Sequence, residues 1–118
     1  MSGSGDLGGV VVHLDEAGEA KHEAVTRNVA NLLGDLGEGT EVELVAHGPG
    51  VALCLAGSPQ AEAVGALIAR GVVVAACENT LRAQGIAARR LVPGVVTVPS
   101  GVGELVRKQR QGWAYVRP

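Results

Sequence analysis

The strongest constraint on this chain is a rhythm. Five short runs of β-branched and small apolar residues, each the length of a strand, alternate with stretches in which apolar residues recur at steps of three and four. The strand-like runs are residues 9–14, 41–47, 72–76, 95–98 and 113–116. Val72 to Ala76 contains no polar residue, the pattern of a strand buried on both faces, as in a parallel sheet covered by helices. Between the runs, residues 19–36 place Val25, Val29, Leu32, Leu33 and Leu36 on one helical face, and Gly37 stops the helix. Val51 to Ala56 reads as one or two helical turns, and Ser58-Pro59 matches an N-cap followed by proline at the first position of a helix that runs to Gly71. Glu78, Asn79 and Thr80 open a short helical run, and Ser100-Gly101 starts a last helix carrying Val102, Leu105 and Val106, closed by Gly112. This order predicts an α/β fold: one mainly parallel sheet of about five strands, sandwiched between helices.

At 118 residues the chain is one domain. The domain is expected over 10–118, with the Gly/Ser-rich residues 1–9 as a disordered leader. Apolar residues make up 47% of the sequence, yet none of their runs is long enough to span a bilayer, and the amino terminus lacks the basic flank and apolar stretch of a signal peptide. A cytoplasmic location is the expectation, with no membrane partner. The net charge of −2, with both signs interleaved, offers no phosphate-tracking surface, so nucleic acid is not expected as a partner either. With one Trp, one Tyr and no Phe, the core rests on Val, Leu and Ala. A small aliphatic domain of this kind is expected to bury further surface against copies of itself.

The two cysteines, 23 positions apart, fit neither a zinc-ligand pattern nor a redox CxxC. Cys54 lies between Leu53 and Leu55 and reads as a buried filler. Cys77 lies where the most apolar strand meets a helix start. In a parallel sheet that junction is at the carboxyl edge, where open α/β sheets bind their ligands. Two readings of Cys77 stand side by side: a nucleophilic thiol helped by the N–H groups of the following turn, or an inert buried residue. Glu78 opposes the first if its carboxylate points toward the sulfur.

His13 and His47 each fall at or near a strand's carboxyl end, so the same edge gathers a candidate catalytic set of Cys77, His47 and His13. Either imidazole serves as a base for the thiol or simply bonds loop backbone. Gly48, Asn79, Thr80, Ser100 and Gly101 are the candidate anion- or substrate-binding positions, although Asn79 and Thr80 are equally explained as helix-capping side chains. His22 reads as solvated on the outer side of the first helix. No cofactor is expected. A His13/His47/Cys77 metal set lacks the short ligand spacing of known motifs, so no metal is expected.

Several segments together resemble the DsrE/DsrF-like family: Val11-Val12-His13-Leu14-Asp15, Asn28 to Leu33, Val45-Ala46-His47-Gly48-Pro49-Gly50, Ala76-Cys77-Glu78-Asn79-Thr80-Leu81, Val98 to Glu104, and Gly112-Trp113-Ala114-Tyr115. The family includes sulfurtransferase subunits of sulfur oxidation and of the relay that thiolates tRNA. The resemblance implies a three-layer α/β/α sandwich, trimeric or hexameric assembly, and a cysteine at the position of Cys77 that carries sulfur as a persulfide. It also implies protein donors and acceptors of that sulfur. The function expected is a sulfur carrier or sulfurtransferase acting through Cys77. The alternative is a non-catalytic oligomeric module that binds a small anion or metabolite at the same edge.

Overall fold

A computed structural model describes residues 8–118. Five strands, β1 (Val10–Leu14), β2 (Val42–Ala46), β3 (Val73–Cys77), β4 (Val96–Val98) and β5 (Ala114–Val116), form one sheet in the order β4-β3-β2-β1-β5. Every pairing is parallel. Four α-helices connect them: α1 (Glu19–Leu36), α2 (Ala61–Ala69), α3 (Glu78–Gln84) and α4 (Gly101–Arg110), with 3-10 turns at Gly48–Cys54 and Ala88–Arg90. Residues 1–7 of the expected leader lie outside the described residues. Gly9 is already packed: its carbonyl accepts from the Ala114 N–H at 2.9 Å, and a Cβ on it would meet the Glu41 carbonyl oxygen at 2.1 Å.

Strand pleat divides the side chains between two layers. Val10, Val12 and Leu14 of β1, with Leu44 and Ala46 of β2 and Val74 and Ala76 of β3, join Val25, Val29, Leu33, Val64, Leu67 and Leu81 of α1, α2 and α3 in the main core. The alternate residues Val11 and Val45 face the other way and meet Leu105 of α4 and Trp113. The fold is therefore the three-layer sandwich, with α1 to α3 on one side and α4 alone on the other.

This division sets the location of the site. From β3 the chain turns into α3 on the main-core side, whereas from its neighbour β4 it turns into α4 on the opposite side. Adjacent strands whose carboxyl ends lead to opposite faces leave a crevice between them, the switch point at which α/β sheets bind ligands. Cys77, the last residue of β3, pairs in register with Val98, the last residue of β4.

One local reading changes. The helix after Ser58-Pro59 begins at Ala61 with Gln60 as its cap, because the Ser58 hydroxyl closes a turn onto the Gln60 N–H at 3.0 Å and is not available to the helix.

Candidate functional site

Period-two alternation brings the site residues to one surface. Glu43 pairs with Val11, and Val45 with His13 and Ala75, so His13 and Cys77 share the α4 side of the sheet. Tyr115 joins them because β5 pairs with β1, aligning it with Val11 one pleat below His13. The result is a row across the carboxyl edge, from Cys77 through His47 and His13 to Tyr115.

Cys77 is 5% exposed, and polar groups line its surroundings. It occupies the residue position before α3 and makes no conventional capping hydrogen bond. Burial is the largest single influence on the thiol and acts to raise its pKa. The Thr80 hydroxyl and the N–H groups of Gly101, Thr80 and Asn79 together outweigh it and hold the thiol below its ordinary range. The Thr80 hydroxyl is oriented for this, because its oxygen accepts from the Gly48 N–H at 2.9 Å and its proton is free to point elsewhere. Glu78, the residue that threatened the thiolate, turns away: its Oε2 accepts from the Thr97 hydroxyl at 2.8 Å.

Gly101 explains how α4 comes so close. A Cβ there would stand 2.8 Å from the His47 Cβ and 3.4 Å from the Cys77 Cβ. Only glycine lets the amino end of α4 enter between those two residues and bring its N–H to the sulfur. Ser100 serves as the N-cap of α4, its Oγ accepting from the Gly103 N–H at 3.0 Å. Asn79 contributes its backbone, while its side-chain Oδ1 accepts from Arg82. Of the five candidate anion-binding positions, Gly101, Asn79 and Thr80 thus stand beside the sulfur and favour its charged form, the Gly48 N–H binds the Thr80 hydroxyl, and Ser100 holds the helix that carries Gly101.

The imidazoles form a chain of their own. His13 Nε2 and His47 Nε2 are 2.7 Å apart, and His13 Nδ1 lies 2.6 Å from the Tyr115 hydroxyl. The two rings stack with centroids 4.9 Å apart. Burial, and next the neighbouring His47, hold His13 below the usual histidine range, against an opposing pull from Asp15. Asp15 places Oδ2 3.9 Å from His13 Nε2 and takes the Arg117 guanidinium on Oδ1 at 3.1 Å. Among the described residues, the ligand atoms of His13, Asp15 and His47 lie within 4.8 Å of one another; the sulfur of Cys77 is not part of that group.

Asp15 and Tyr115 are the site residues that sequence reasoning missed. Asp15 follows His13 by two positions at a strand end, a spacing that keeps both on one face. Nothing local marks Tyr115, whose place depends on β5 lying beside β1. His22, read as solvated, is instead buried against the main layer, its Nε2 bonded to the Glu16 carbonyl at 2.7 Å. Cys54 is fully buried in the main core, where loss of water pushes its thiol up to about 12. A cleft of about 540 Å³ lies between α3 and β4, lined by Glu78, Arg82, Ile86 and Thr97, with none of Cys77, His47 and His13 in its wall.

The sequence model of the DsrE/DsrF-like family matches residues 10–118. The chain belongs to this family. A solved structure of similar fold is that of MTH1491, a protein of unknown function from Methanobacterium thermoautotrophicum. It superposes with a TM-score of 0.90 at 43% sequence identity, over 94% of this chain and 99% of that one. The YchN protein of E. coli superposes with a TM-score of 0.78 at 17% identity, also over 94% and 99% of the two chains, and shares the fold. No curated protein matches. This DsrE/DsrF-like chain thus has its cysteine at the switch point of a five-stranded, all-parallel sheet flanked by helices.

Proposed function

We propose that this protein is a sulfur carrier of the relay type, in which Cys77 accepts sulfane sulfur as a persulfide and passes it on. The observation that carries the reading is the set of donors around one sulfur atom: a hydroxyl and three N–H groups that favour the thiolate despite its burial. The Cys77 thiolate attacks the outer sulfur of a persulfide R–S–SH. A new S–S bond forms at Cys77, the donor's S–S bond breaks, and the donor departs as its thiolate while the outer sulfur keeps its proton. An acceptor thiolate then attacks that outer sulfur and regenerates the Cys77 thiolate, so the cycle needs neither oxidant nor reductant. His47, across Gly101 from the sulfur, and His13 beyond it tune the charge of the edge.

A homo-oligomer, trimeric or hexameric, acting in the cytoplasm with protein donors and acceptors, completes the proposal. Val73, Val96, Val102 and Val106 support the assembly. All lie on β3, β4 or α4, and each is more than 40% exposed. No described helix is long and apolar enough to cross a membrane.

Intact-mass measurement after treatment with a persulfide donor tests the reading. An adduct of about 32 Da, one sulfur atom, that disappears in Cys77→Ser is the expected result. An unmodified wild-type chain overturns it and favours a module that uses the same N–H groups to hold a small anion.

A further inference from the structure

Beyond the sulfur, the carboxyl edge holds a second group of donors, and its outer partners prepare it for a ligand. We infer that His13, Asp15 and His47 bind a divalent transition ion of the Zn²⁺ type through three protein ligands, leaving one position open. Ligand spacing in the sequence argues against a metal, because the positions span 34 residues. Pairing of β1 with β2 cancels that separation, since His13 aligns with Val45 and His47 follows two residues later.

The donor atoms already converge. His13 Nε2 and His47 Nε2 face each other at 2.7 Å, and Asp15 Oδ2 lies 3.9 Å from the first. A tetrahedral ion with bonds of about 2.0–2.1 Å needs its ligand atoms about 3.3–3.4 Å apart. The imidazoles therefore open by roughly 0.6 Å, and the carboxylate closes by a similar amount on His13 and by up to about 1.4 Å on His47, shifts that side-chain torsions supply.

The bond to Tyr115 selects the ligand form of His13, while His47 releases the Nε2 proton that it shares with His13 when the ion binds. With Nδ1 of His13 protonated and donating to the Tyr115 oxygen at 2.6 Å, its Nε2 carries the lone pair and points inward. Arg117 holds Asp15 Oδ1 at 3.1 Å and Oδ2 at 3.4 Å, which fixes the carboxylate plane beside His13. Two imidazoles and one carboxylate suit Zn²⁺ and its neighbours and do not suit Ca²⁺ or Mg²⁺, which take oxygen ligands. Three protein ligands with one open position is the arrangement of zinc sites that take an exogenous ligand. Cys77 is outside the donor set, so the inference stands whether or not the persulfide reading does. An ion held here adds positive charge to the edge that carries the thiol.

The test uses the untagged full chain, stripped with a chelator and titrated with Zn²⁺ against a chromogenic competitor. One ion per chain is expected, with affinity lowered more than about tenfold in Asp15→Asn and His47→Gln, and about tenfold in Tyr115→Phe, a positioning residue. Circular dichroism confirms that each variant is folded before its affinity is read. Co²⁺ in place of Zn²⁺ is expected to give visible bands without a sulfur-to-metal charge-transfer band, and Cys77→Ser is expected to bind as tightly as wild type. The inference is overturned if wild type takes up no stoichiometric Zn²⁺, if a folded His13→Gln/His47→Gln double variant binds equally well, or if the Co²⁺ spectrum shows thiolate ligation.

Discussion

The two cysteines are nearly equal in exposure, unequal in depth and opposite in chemistry. Cys54 is 0% exposed and Cys77 5% exposed, yet burial drives the first thiol up to about 12 while the second is held below its ordinary range. The difference lies in depth, Cys54 being enclosed in the main core and Cys77 standing at the sheet edge, and in what replaces water. Around Cys54 the neighbours are aliphatic, among them Val51, Leu53 and Val92, and nothing compensates a buried charge. Around Cys77 three N–H groups and a hydroxyl do so. Low exposure alone does not tell a reactive thiol from an inert one; depth and the polar groups beside the sulfur do.

The largest effect should appear in alkylation of the native protein. At pH 7 a thiol of pKa about 12 is thiolate to about one part in 10⁵, and one below 9 to more than about one part in 100, so Cys77 should react more than about 1000-fold faster than Cys54. Peptide mass spectrometry of a timed iodoacetamide reaction reads the ratio, and comparable rates at the two sites would break the comparison.

Gly101→Ala attacks the cause of the difference. The added methyl must displace His47 or the start of α4, lowering stability by about 2–3 kcal/mol in a denaturant melt and slowing Cys77 alkylation as the Gly101 N–H withdraws. A variant of unchanged stability and unchanged Cys77 rate would remove Gly101 from the account.

Glu43 extends the comparison to a carboxyl group. It is 4% exposed on β2, its Oε2 finds no hydrogen-bond partner among the described residues, and Lys108 stands 3.5 Å from Oε1. Burial, then the neighbouring Glu104, raise it to about 7, because one lysine does not offset both. The folded chain therefore holds a proton that the unfolded chain releases near 4.5, so stability is lost as pH rises from about 4.5 to 7 and stays lost above. Glu43→Gln should abolish that slope and be the more stable protein at pH 8 by about 1–2 kcal/mol, read from urea melts across pH. Parallel pH profiles for the two proteins would show that donors at Glu43 are adequate after all.

The smallest effect concerns Thr80. Removing its hydroxyl in Thr80→Val should slow Cys77 alkylation at pH 7 about threefold to tenfold, and Thr80→Ser should restore it. If both variants react alike, the hydroxyl contributes nothing to the thiolate and the N–H groups act alone.

Much of this architecture was legible in the chain. The apolar run ending at Cys77 marks a strand covered on both faces from Val74 onward, although Val73, read as buried, is 43% exposed, and the strict alternation with helices leaves little but a parallel sheet. His13, His47 and Cys77 could be placed on a common edge because each lies at or beside a strand's carboxyl end. Strand order was not legible, since no local feature of Ala114 to Val116 says that it pairs with Val10 to Val12. Without that order, the Tyr115 bond to His13 and the opposite turns after β3 and β4 are invisible. The donors on Cys77 were half legible: Asn79 and Thr80 follow it directly, whereas Gly101 arrives from a distant helix whose approach depends on a missing side chain. Glu78 shows the converse, a neighbour in sequence that the hydrogen bond to Thr97 takes out of play.

The most direct test is the pH profile of alkylation at Cys77 itself, followed by mass spectrometry on the native full-length chain. The donors around the sulfur predict a midpoint below the ordinary thiol value of 9. A midpoint at or above 9, as for a thiol governed by burial alone, would contradict the account.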